Sequence, residues 1–200
     1  MTFNVQPVTL TGKLVRLEPL RMEHAGELLE IAQDPDIWTY MPVDPSVSLA
    51  AMQGWLDGAL RNQEAGIDLP FIIRDRASGR ALGSTRYLNI TPHDRGLEIG
   101  STWLCASARR TGVNTECKYL LLRHAFETLG AIRVQLKTDS RNLRSQRAIE
   151  RIGGVREGVL RNHMILPDGY YRDSVYYSII EREWPRVKEN LLVKMKESAG

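Results

Sequence analysis

Apolar and polar residues follow two different periods along this chain. Met22, Ala25, Leu28, Leu29 and Ala32 recur three or four positions apart, which is the spacing of one helix face. Elsewhere apolar and polar positions alternate, or short apolar runs are bounded by glycine, proline and aspartate, as in strands separated by turns. These patterns predict strands over residues 9–17, 69–75, 80–90, 97–104, 132–138, 155–165 and 171–180, and helices over 19–33, 49–63, 114–129, 142–152 and from 181 onward.

The order of these elements, β-α-α-β-β-β-α-β-α-β-β, indicates an α/β (α+β) fold. Meandering strands come first, then a strand–helix–strand crossover, then a hairpin. This order predicts one mixed, mostly antiparallel twisted sheet of about seven strands with helices on both faces. The 200 residues suit a single domain over 1–200, with a core at about 9–180 and a helical tail at 181–200.

Composition narrows the class of protein. Hydrophobic residues make up 42% and charged residues 26% of the chain, which is typical of a globular protein. The net charge of +3 favours anionic ligands only weakly and does not require nucleic acid. The two cysteines and four histidines show no metal-ligand spacing, so no metal is expected. Without a signal peptide or a long apolar run, we expect a soluble, cytoplasmic protein.

The most informative segment is the loop between the strand at 97–104 and the helix from Asn114. The first backbone N–H groups of a helix lack intrahelical partners, and the helix dipole adds positive charge, so such a terminus binds phosphate. Gly112 allows close approach and a positive φ, Asn114 is a good N-cap, and Arg109 and Arg110 supply charge for a pyrophosphate. On the loop alone, an ordinary capped helix with two solvated arginines is an equal alternative.

The run Arg109-Arg110-Thr111-Gly112-Val113-Asn114 resembles the Arg/Gln-x-x-Gly-x-Gly/Ala signature of the GNAT (GCN5-related) N-acetyltransferase superfamily. The neighbouring elements follow that family's order over about residues 14–180, and the resemblance points to the branch with the RimJ/RimL ribosomal-protein acetyltransferases. Asn114 stands where the signature has Gly or Ala, and asparagine tolerates glycine-like backbone angles.

The resemblance implies acetyl-CoA as co-substrate. It implies that backbone amides from Arg110 to Thr115 hold the pyrophosphate. It also implies that the pantetheine lies between the strands at 97–104 and 132–138, against the backbone of Trp103 and Leu104.

Acetyl transfer requires a deprotonated amine, a polarised thioester and a protonated leaving thiolate. Glu98 is the candidate base, since it alternates with apolar Leu97 and Ile99 and is followed by Gly100, which leaves space beside it. The alternative is a strand glutamate that faces solvent or pairs with an arginine.

In many GNAT proteins a tyrosine acts as the acid, in the helix that corresponds to the one from Asn142 in this chain. Here Ile149 occupies the position of that tyrosine. Ser145, one turn earlier on the same face, is the candidate acid or thiolate donor, and its alternative is a local bond to backbone. Asn142 is expected to cap the helix and to bond the pantetheine. Arg144, Arg147 and Arg151 form a basic stripe, and one of them is expected to meet the CoA 3′-phosphate. Arg147 is the cofactor-binding candidate among them, and a solvated charged face is the alternative for each.

The acceptor side is the least specified. In similar proteins the loop that holds Trp38, Tyr40 and Met41 lines the acceptor site, and Tyr87 is a further candidate. Ordinary packing is the alternative for each. The resulting hypothesis is an N-acetyltransferase for a protein N-terminal α-amine or a small-molecule amine. It acts without nucleic acid or membrane partners, as a monomer or homodimer. A non-catalytic CoA- or acyl-CoA-binding regulatory module is the alternative.

Overall fold

The protein is described here by a computed structural model over residues 3–197. One eight-stranded sheet with strand order β1-β2-β3-β4-β5-β6-β8-β7 spans the molecule. All neighbours are antiparallel except β5 and β6, which are parallel because α3 crosses over between them. The strands are β1 (Leu10–Thr11), β2 (Val15–Pro19), β3 (Leu69–Asp75), β4 (Ala81–Thr91), β5 (Gly96–Leu104), β6 (Arg133–Asp139), β7 (Val155–Ile165) and β8 (Tyr171–Ile180).

The mixed sheet confirms the predicted fold class, but the strand count of about seven is wrong by one. The strand expected over 9–17 is a small hairpin of β1 and β2, which the N–H of Gly12 closes by donating to the carbonyl of Val15 at 2.8 Å. Gly12 is required there, since a Cβ would lie 2.5 Å from the carboxylate of Glu116. The turn is therefore fixed by a residue about a hundred positions away.

Four of the helices begin and end close to their predicted limits, but the one expected over 19–33 is shorter, because Pro19 still belongs to β2 and a 3₁₀ turn precedes the helix. They are α1 (Ala25–Ile31), α2 (Leu49–Glu64), α3 (Val113–Arg123), α4 (Leu143–Arg151) and α5 (Trp184–Glu197). A π-helical turn, His124–Leu129, continues α3 as far as Gly130, whose φ of 72° ends the helix in the left-handed conformation. Short 3₁₀ turns occur at Met22–His24, Pro35–Ile37, Pro45–Val47, Ala106–Ala108 and Glu181–Glu183.

The sheet separates two apolar cores. One lies beneath α1 and α2 and contains Leu56, Trp38 and Trp103. The other lies beneath α3, α4 and α5, and in it Trp184 and Leu191 of α5 are buried. The C-terminal helix is therefore part of the core rather than an appended tail. Since side chains alternate along a strand, each polar residue of the central strands faces one of these two layers.

Two features bound the kinds of site available within residues 3–197. None of the helices there is long and apolar enough to cross a membrane. The same residues contain no cluster of three or more histidine, cysteine or carboxylate side chains suited to a metal ion. Cys105 and Cys117 are free and buried, and burial raises the pKa of the Cys117 thiol to about 12.

Candidate active site

The loop after β5 presents a helix N-terminus. Thr111 donates its hydroxyl to the carbonyl of Ala108 at 2.7 Å and accepts the N–H of Val113 at 3.2 Å. Helix α3 then begins at Val113. Its N-cap residue is Gly112, which has no side chain that could cap the helix. The amides of the first turn are thus left facing the loop, as an anion site requires.

Two details of this loop differ from the sequence-based expectation. Gly112 has a φ of −66°, so a positive φ is not the reason for its glycine. The left-handed conformation falls instead on Arg110, with a φ of 59°. Asn114 lies inside the first turn of α3 and does not cap it. The turn therefore closes two residues earlier than predicted, through the Thr111 hydroxyl.

The arginines near this N-terminus have different roles. Arg109 donates from Nε to the carbonyl of Leu104 at 3.0 Å and forms an ion pair with Asp34 at 2.8 Å, so its side chain braces the loop. Arg110 is exposed. Arg147 and Arg151 of α4 are both exposed, but Arg151 donates to Thr115 in the first turn of α3 at 3.2 Å. The charge at the α3 N-terminus therefore comes from Arg110 and Arg151 rather than from Arg109 and Arg147.

Strands β5 and β6 separate soon after they meet. Only three residue pairs join them, and the last is Glu98 with Gln135. Beyond this pair, residues 99–104 of β5 have no strand partner on that side. A β-bulge at Ser101, with a φ of 46°, turns β5 further, and Trp103 and Leu104 lie past it. The result is a wedge that opens toward the α3 N-terminus, with Glu98 at its closed end.

Glu98 is almost fully buried, at 1% exposure. Its Oε2 accepts hydrogen bonds from Asn89, Gln135 and Lys137, each at 3.0 Å. Within residues 3–197, Oε1 receives no hydrogen bond. A Cβ on Gly100 would lie 2.9 Å from this oxygen and 2.7 Å from Cδ1 of Leu88, so the glycine makes room for both side chains. One carboxylate oxygen is fixed by three donors, and the other has no donor within residues 3–197.

The helix α4 begins at the mouth of the wedge. Asn142 caps it as predicted, since its side-chain oxygen accepts the N–H of Ser145 at 2.9 Å. Ser145 is half-buried in the first turn, while Ile149 is buried in the core one turn later. Among these two positions, only Ser145 presents a hydroxyl toward this end of the sheet.

The four candidate acceptor residues divide into two groups. Tyr40 lines an open cleft of about 400 Å³ with Asp36, Thr39, Arg141, Asn142, Leu143 and Arg144. Met41 is half-buried against the α1–α2 core. Trp38 is buried against Trp103, with ring centroids 5.3 Å apart, and thus supports the loop from below. A larger open depression of about 930 Å³ lies over the β7–β8 edge and is lined by those two strands alone.

Tyr87 is not brought to the candidate site. It is fully buried, and its hydroxyl donates to the carbonyl of Leu121 at 2.6 Å on the α3 side of the sheet. Its strand partner is Ile99, whose side chain points away from that of Glu98. Tyr87 is therefore a core residue, and burial raises its pKa well above the ordinary value.

A sequence profile of the family described as "Acetyltransferase (GNAT) domain" matches residues 15–155. This span contains the α3 N-terminus, the wedge, Glu98 and Ser145. The chain belongs to the GNAT acetyltransferase family. The GNAT resemblance that the loop motif suggested is thereby confirmed.

The chain is similar to several GNAT proteins, one of which is named a ribosomal N-acetyltransferase. It is 30% identical over 172 residues to YdaF of Bacillus subtilis (strain 168), named as a candidate ribosomal N-acetyltransferase, covering 84% of this chain and 90% of the relative. A GCN5-related N-acetyltransferase from Brucella melitensis is 30% identical with a TM-score of 0.88, covering 96% and 86% of the two chains. Mycobacterium smegmatis RimJ in complex with CoA-disulfide is 25% identical with a TM-score of 0.80, covering 94% and 95%.

Several residues of this GNAT site were missed by sequence reasoning. Gln135 and Lys137 hold Glu98, and their alternation on β6 could have revealed them once the parallel pairing with β5 was assumed. Arg141 and Arg172 also lie here: Arg141 stacks on the Tyr170 ring at 3.6 Å, and Arg172 donates to the carbonyl of Tyr40 at 3.2 Å. No local signal in the sequence identifies these two.

Proposed function

We propose that this protein transfers the acetyl group of acetyl-CoA to a primary amine by direct attack. The observation that carries the proposal is the Oε1 of Glu98, which receives no hydrogen bond within residues 3–197 and lies beside Gly100 at the closed end of the wedge. A thioester that follows the wedge would end beside this oxygen. A buried carboxylate with one fixed and one free oxygen is suited to accept a proton at a defined place.

The α3 N-terminus and the wedge together support the binding of CoA. The backbone amides from Arg110 to Thr115 would hold the pyrophosphate, with Arg110 and Arg151 adding charge. The pantetheine would lie along the unpaired edge of β5, at the backbone of Trp103 and Leu104, and would replace the missing strand contacts. The amide of Asn142 is available to the same arm after its side-chain oxygen has capped α4.

Glu98 would take a proton from the amine, directly or through one water, and leave its lone pair free to attack the thioester carbon. A new C–N bond forms, and the attacking nitrogen then carries one proton more than the amide product. The C–S bond breaks to release CoA as a thiolate, and this second proton passes from the nitrogen to the sulfur, through the Ser145 hydroxyl or through solvent. The Ser145 hydroxyl would donate to this sulfur, as a proton source or as a hydrogen bond that stabilises its charge. The proton on Glu98 returns to solvent.

The acceptor proposed is a protein N-terminal α-amine or a small-molecule amine. An α-amine has a pKa of about 8 against about 10.4 for lysine, so it is the easier group for a single carboxylate base. The name of YdaF, a candidate ribosomal N-acetyltransferase, favours an amine carried by a protein. Tyr40 and Met41 at the cleft are the proposed acceptor contacts, with Trp38 beneath them.

Release of free thiol from acetyl-CoA, measured over a panel of amines that includes N-terminal Ser and Ala peptides, tests this proposal. We expect Glu98→Gln to lower kcat about a hundredfold or more, and Ser145→Ala about tenfold, with acetyl-CoA affinity changed less than twofold. Glu64→Gln, an exposed change at the end of α2, is the matched control. Tight CoA binding without thiol release for any amine would instead establish the binding-module alternative.

A further inference from the structure

The face of the sheet that carries Glu98 has more basic than acidic groups. Lys137 forms an ion pair with Glu98 at 3.0 Å, and Arg141 forms one with Asp139 at 2.8 Å. Arg172 of β8 belongs to the same face, since it alternates with Ser174 and Tyr176, and Tyr176 is the strand partner of Lys137. Both carboxylates already have a cation, and Arg172 has no carboxylate within ion-pair distance among the described residues.

Arg172 is a buried cation whose bonding is incomplete. The residue is 6% exposed, its Nη1 donates only to the neutral carbonyl of Tyr40 at 3.2 Å, and its buried Nε has no partner within residues 3–197. Burial lowers the pKa of this guanidinium, while the charges of Asp139 and Glu98 oppose that change. A buried charge without a partner costs free energy, which an anion bound beside it would recover.

We propose that Arg172 binds a carboxylate carried by the amine acceptor, so that the preferred acceptors have an acidic group a few bonds from the reacting nitrogen. This inference rests on the proposed function. The planar guanidinium matches a carboxylate through paired N–H donors. Arg172 lies on the same face of the sheet as Glu98, on the strand whose Tyr176 pairs with Lys137, the cation bonded to Glu98. One small molecule or peptide end can therefore place its amine at Glu98 and its carboxylate at Arg172.

The surroundings of Arg172 support an approach by an anion. The carbonyl that it bonds belongs to Tyr40, which lines the cleft, and the guanidinium of Arg141 lies 5.6 Å from the Tyr40 ring and 3.6 Å from that of Tyr170. The cleft is lined by the cations Arg141 and Arg144 and by the carboxylate of Asp36, and Asp139 pairs with Arg141 from beside it. Arg172 is therefore the buried cation of this group that has no carboxylate partner among the described residues, and it can discriminate an acid from its neutral analogue.

Pairs of acceptors that differ only in charge test the inference. We would measure kcat/KM for 4-aminobutanoate against 4-aminobutanamide, and for peptides that begin Ala-Asp against Ala-Asn. The wild-type protein should prefer the acid in each pair about tenfold, because a charge-assisted bond replaces a neutral one. Arg172→Gln should bring the ratio close to one, and Arg172→Lys should retain part of it. Arg182→Gln, an exposed change beyond β8, should leave the ratio unchanged.

A wild-type acid-to-amide ratio near one would overturn the inference, and this measurement needs no variant to fold. If amines are acetylated without regard to charge, the proposed function stands and the role of Arg172 falls. If no amine is acetylated, the thermal stabilisation of the CoA-loaded protein by each acid and its amide decides: a larger shift for the acid that Arg172→Gln abolishes supports the site, and equal shifts reject it.

Discussion

Arg151 and Arg147 lie one helical turn apart on α4, yet their side chains have different surroundings. Both are exposed, but Arg151 donates to Thr115 in the first turn of α3, whereas Arg147 has no hydrogen bond to α3 among residues 3–197. Sequence spacing alone presents both as members of one basic stripe. Only the packing of α4 against α3 decides which guanidinium lies near the proposed anion site.

We therefore expect Arg151→Gln to weaken CoA binding about five- to tenfold and Arg147→Gln to change it less than twofold. The reason is that Thr115 holds the guanidinium of Arg151 at the start of α3, where it can bond a phosphate directly, whereas Arg147 acts only from a distance at which salt screens its charge. Titration calorimetry at two salt concentrations measures both. Equal losses in the two variants would show that α4 contributes only a diffuse basic face.

Lys118 allows a prediction about pH. It is 7% exposed and donates to Thr102 at 2.7 Å, and burial lowers its pKa from 10.5 to about 8. Above pH 8 the folded state loses this proton while the unfolded state keeps it up to about pH 10.5, so the unfolded state binds more protons and stability rises with pH.

Between pH 7.5 and 9.5, the free energy of unfolding of the wild type should rise relative to Lys118→Met by about 2 kcal/mol. Urea unfolding of both proteins at the two pH values gives this difference, and the variant cancels the contribution of other groups that titrate in the range. A difference that stays constant, or that falls with pH, would contradict a buried charged lysine at neutral pH.

At the scale of elements, Glu116 joins α3 to the first hairpin. Its carboxylate is 1% exposed and accepts the backbone N–H groups of Lys13, Leu14 and Val15 at 2.7, 2.7 and 2.8 Å. The first turn of the helix that forms the proposed anion site is thus tied to the β1–β2 hairpin. Three amide donors on one carboxylate form a strong charge-assisted cluster.

Replacement of this carboxylate should destabilise the protein markedly. Glu116→Gln turns an acceptor oxygen into an NH₂ that faces backbone donors, and we expect the free energy of unfolding to fall by about 2–3 kcal/mol. Denaturant unfolding monitored by circular dichroism measures the loss. Glu64→Gln should change stability by less than about 0.5 kcal/mol. If Glu116→Gln and Glu64→Gln were equally stable, the three hydrogen bonds to Glu116 would make no net contribution to the free energy of unfolding.

The elements that sequence predicted well are those with strong local patterns. The hairpin of β7 and β8 was predicted to the residue, because Pro167, Asp168 and Gly169 fix its turn. The split of the first strand and the start of α3 were not predicted to the residue. The split depends on the Glu116 carboxylate, which packs against Gly12, and the start of α3 depends on the hydroxyl of Thr111. Periodicity reports which face is buried, but it does not report distant side chains that close a turn.

The candidate site was predictable to a similar extent. Glu98, Gly100 and Ser145 follow from alternation and from the family motif, and Asn142 is the cap that its residue type suggests. Tyr87 was wrongly predicted as an acceptor-site residue. Its strand contains β-bulges, and around a bulge the alternation of side chains does not predict which face of the sheet a residue occupies. The residues that complete the site come from β6 and β8, and their arrival depends on the order of strands in the sheet.

At the scale of the whole molecule, the sheet consists of two parts with a weak junction. Strands β1 to β5 and strands β6 to β8 share only the three pairs between β5 and β6. A CoA molecule in the wedge would contact both parts. Ligand binding should therefore stabilise the entire fold and not the anion loop alone.

At a CoA concentration of about 100 times Kd, the expected stabilisation is about 2.7 kcal/mol, which corresponds to a rise in Tm of about 5–10 °C. Hydrogen exchange should slow at residues 99–104 of β5. The nucleotide 3′-phosphoadenosine 5′-diphosphate, which lacks pantetheine, should slow exchange only at the start of α3. Identical protection by the two ligands would place the arm of CoA outside the wedge.

Arg110 shows how local stability and ligand capture oppose each other. An arginine with a φ of 59° costs about 1 kcal/mol that glycine would not. A glycine at this position would relax the loop and raise the melting temperature slightly, yet it would remove a mobile positive charge from the rim of the α3 N-terminus. Selection for thermostability alone would therefore favour a change that lowers the affinity of the proposed site for CoA.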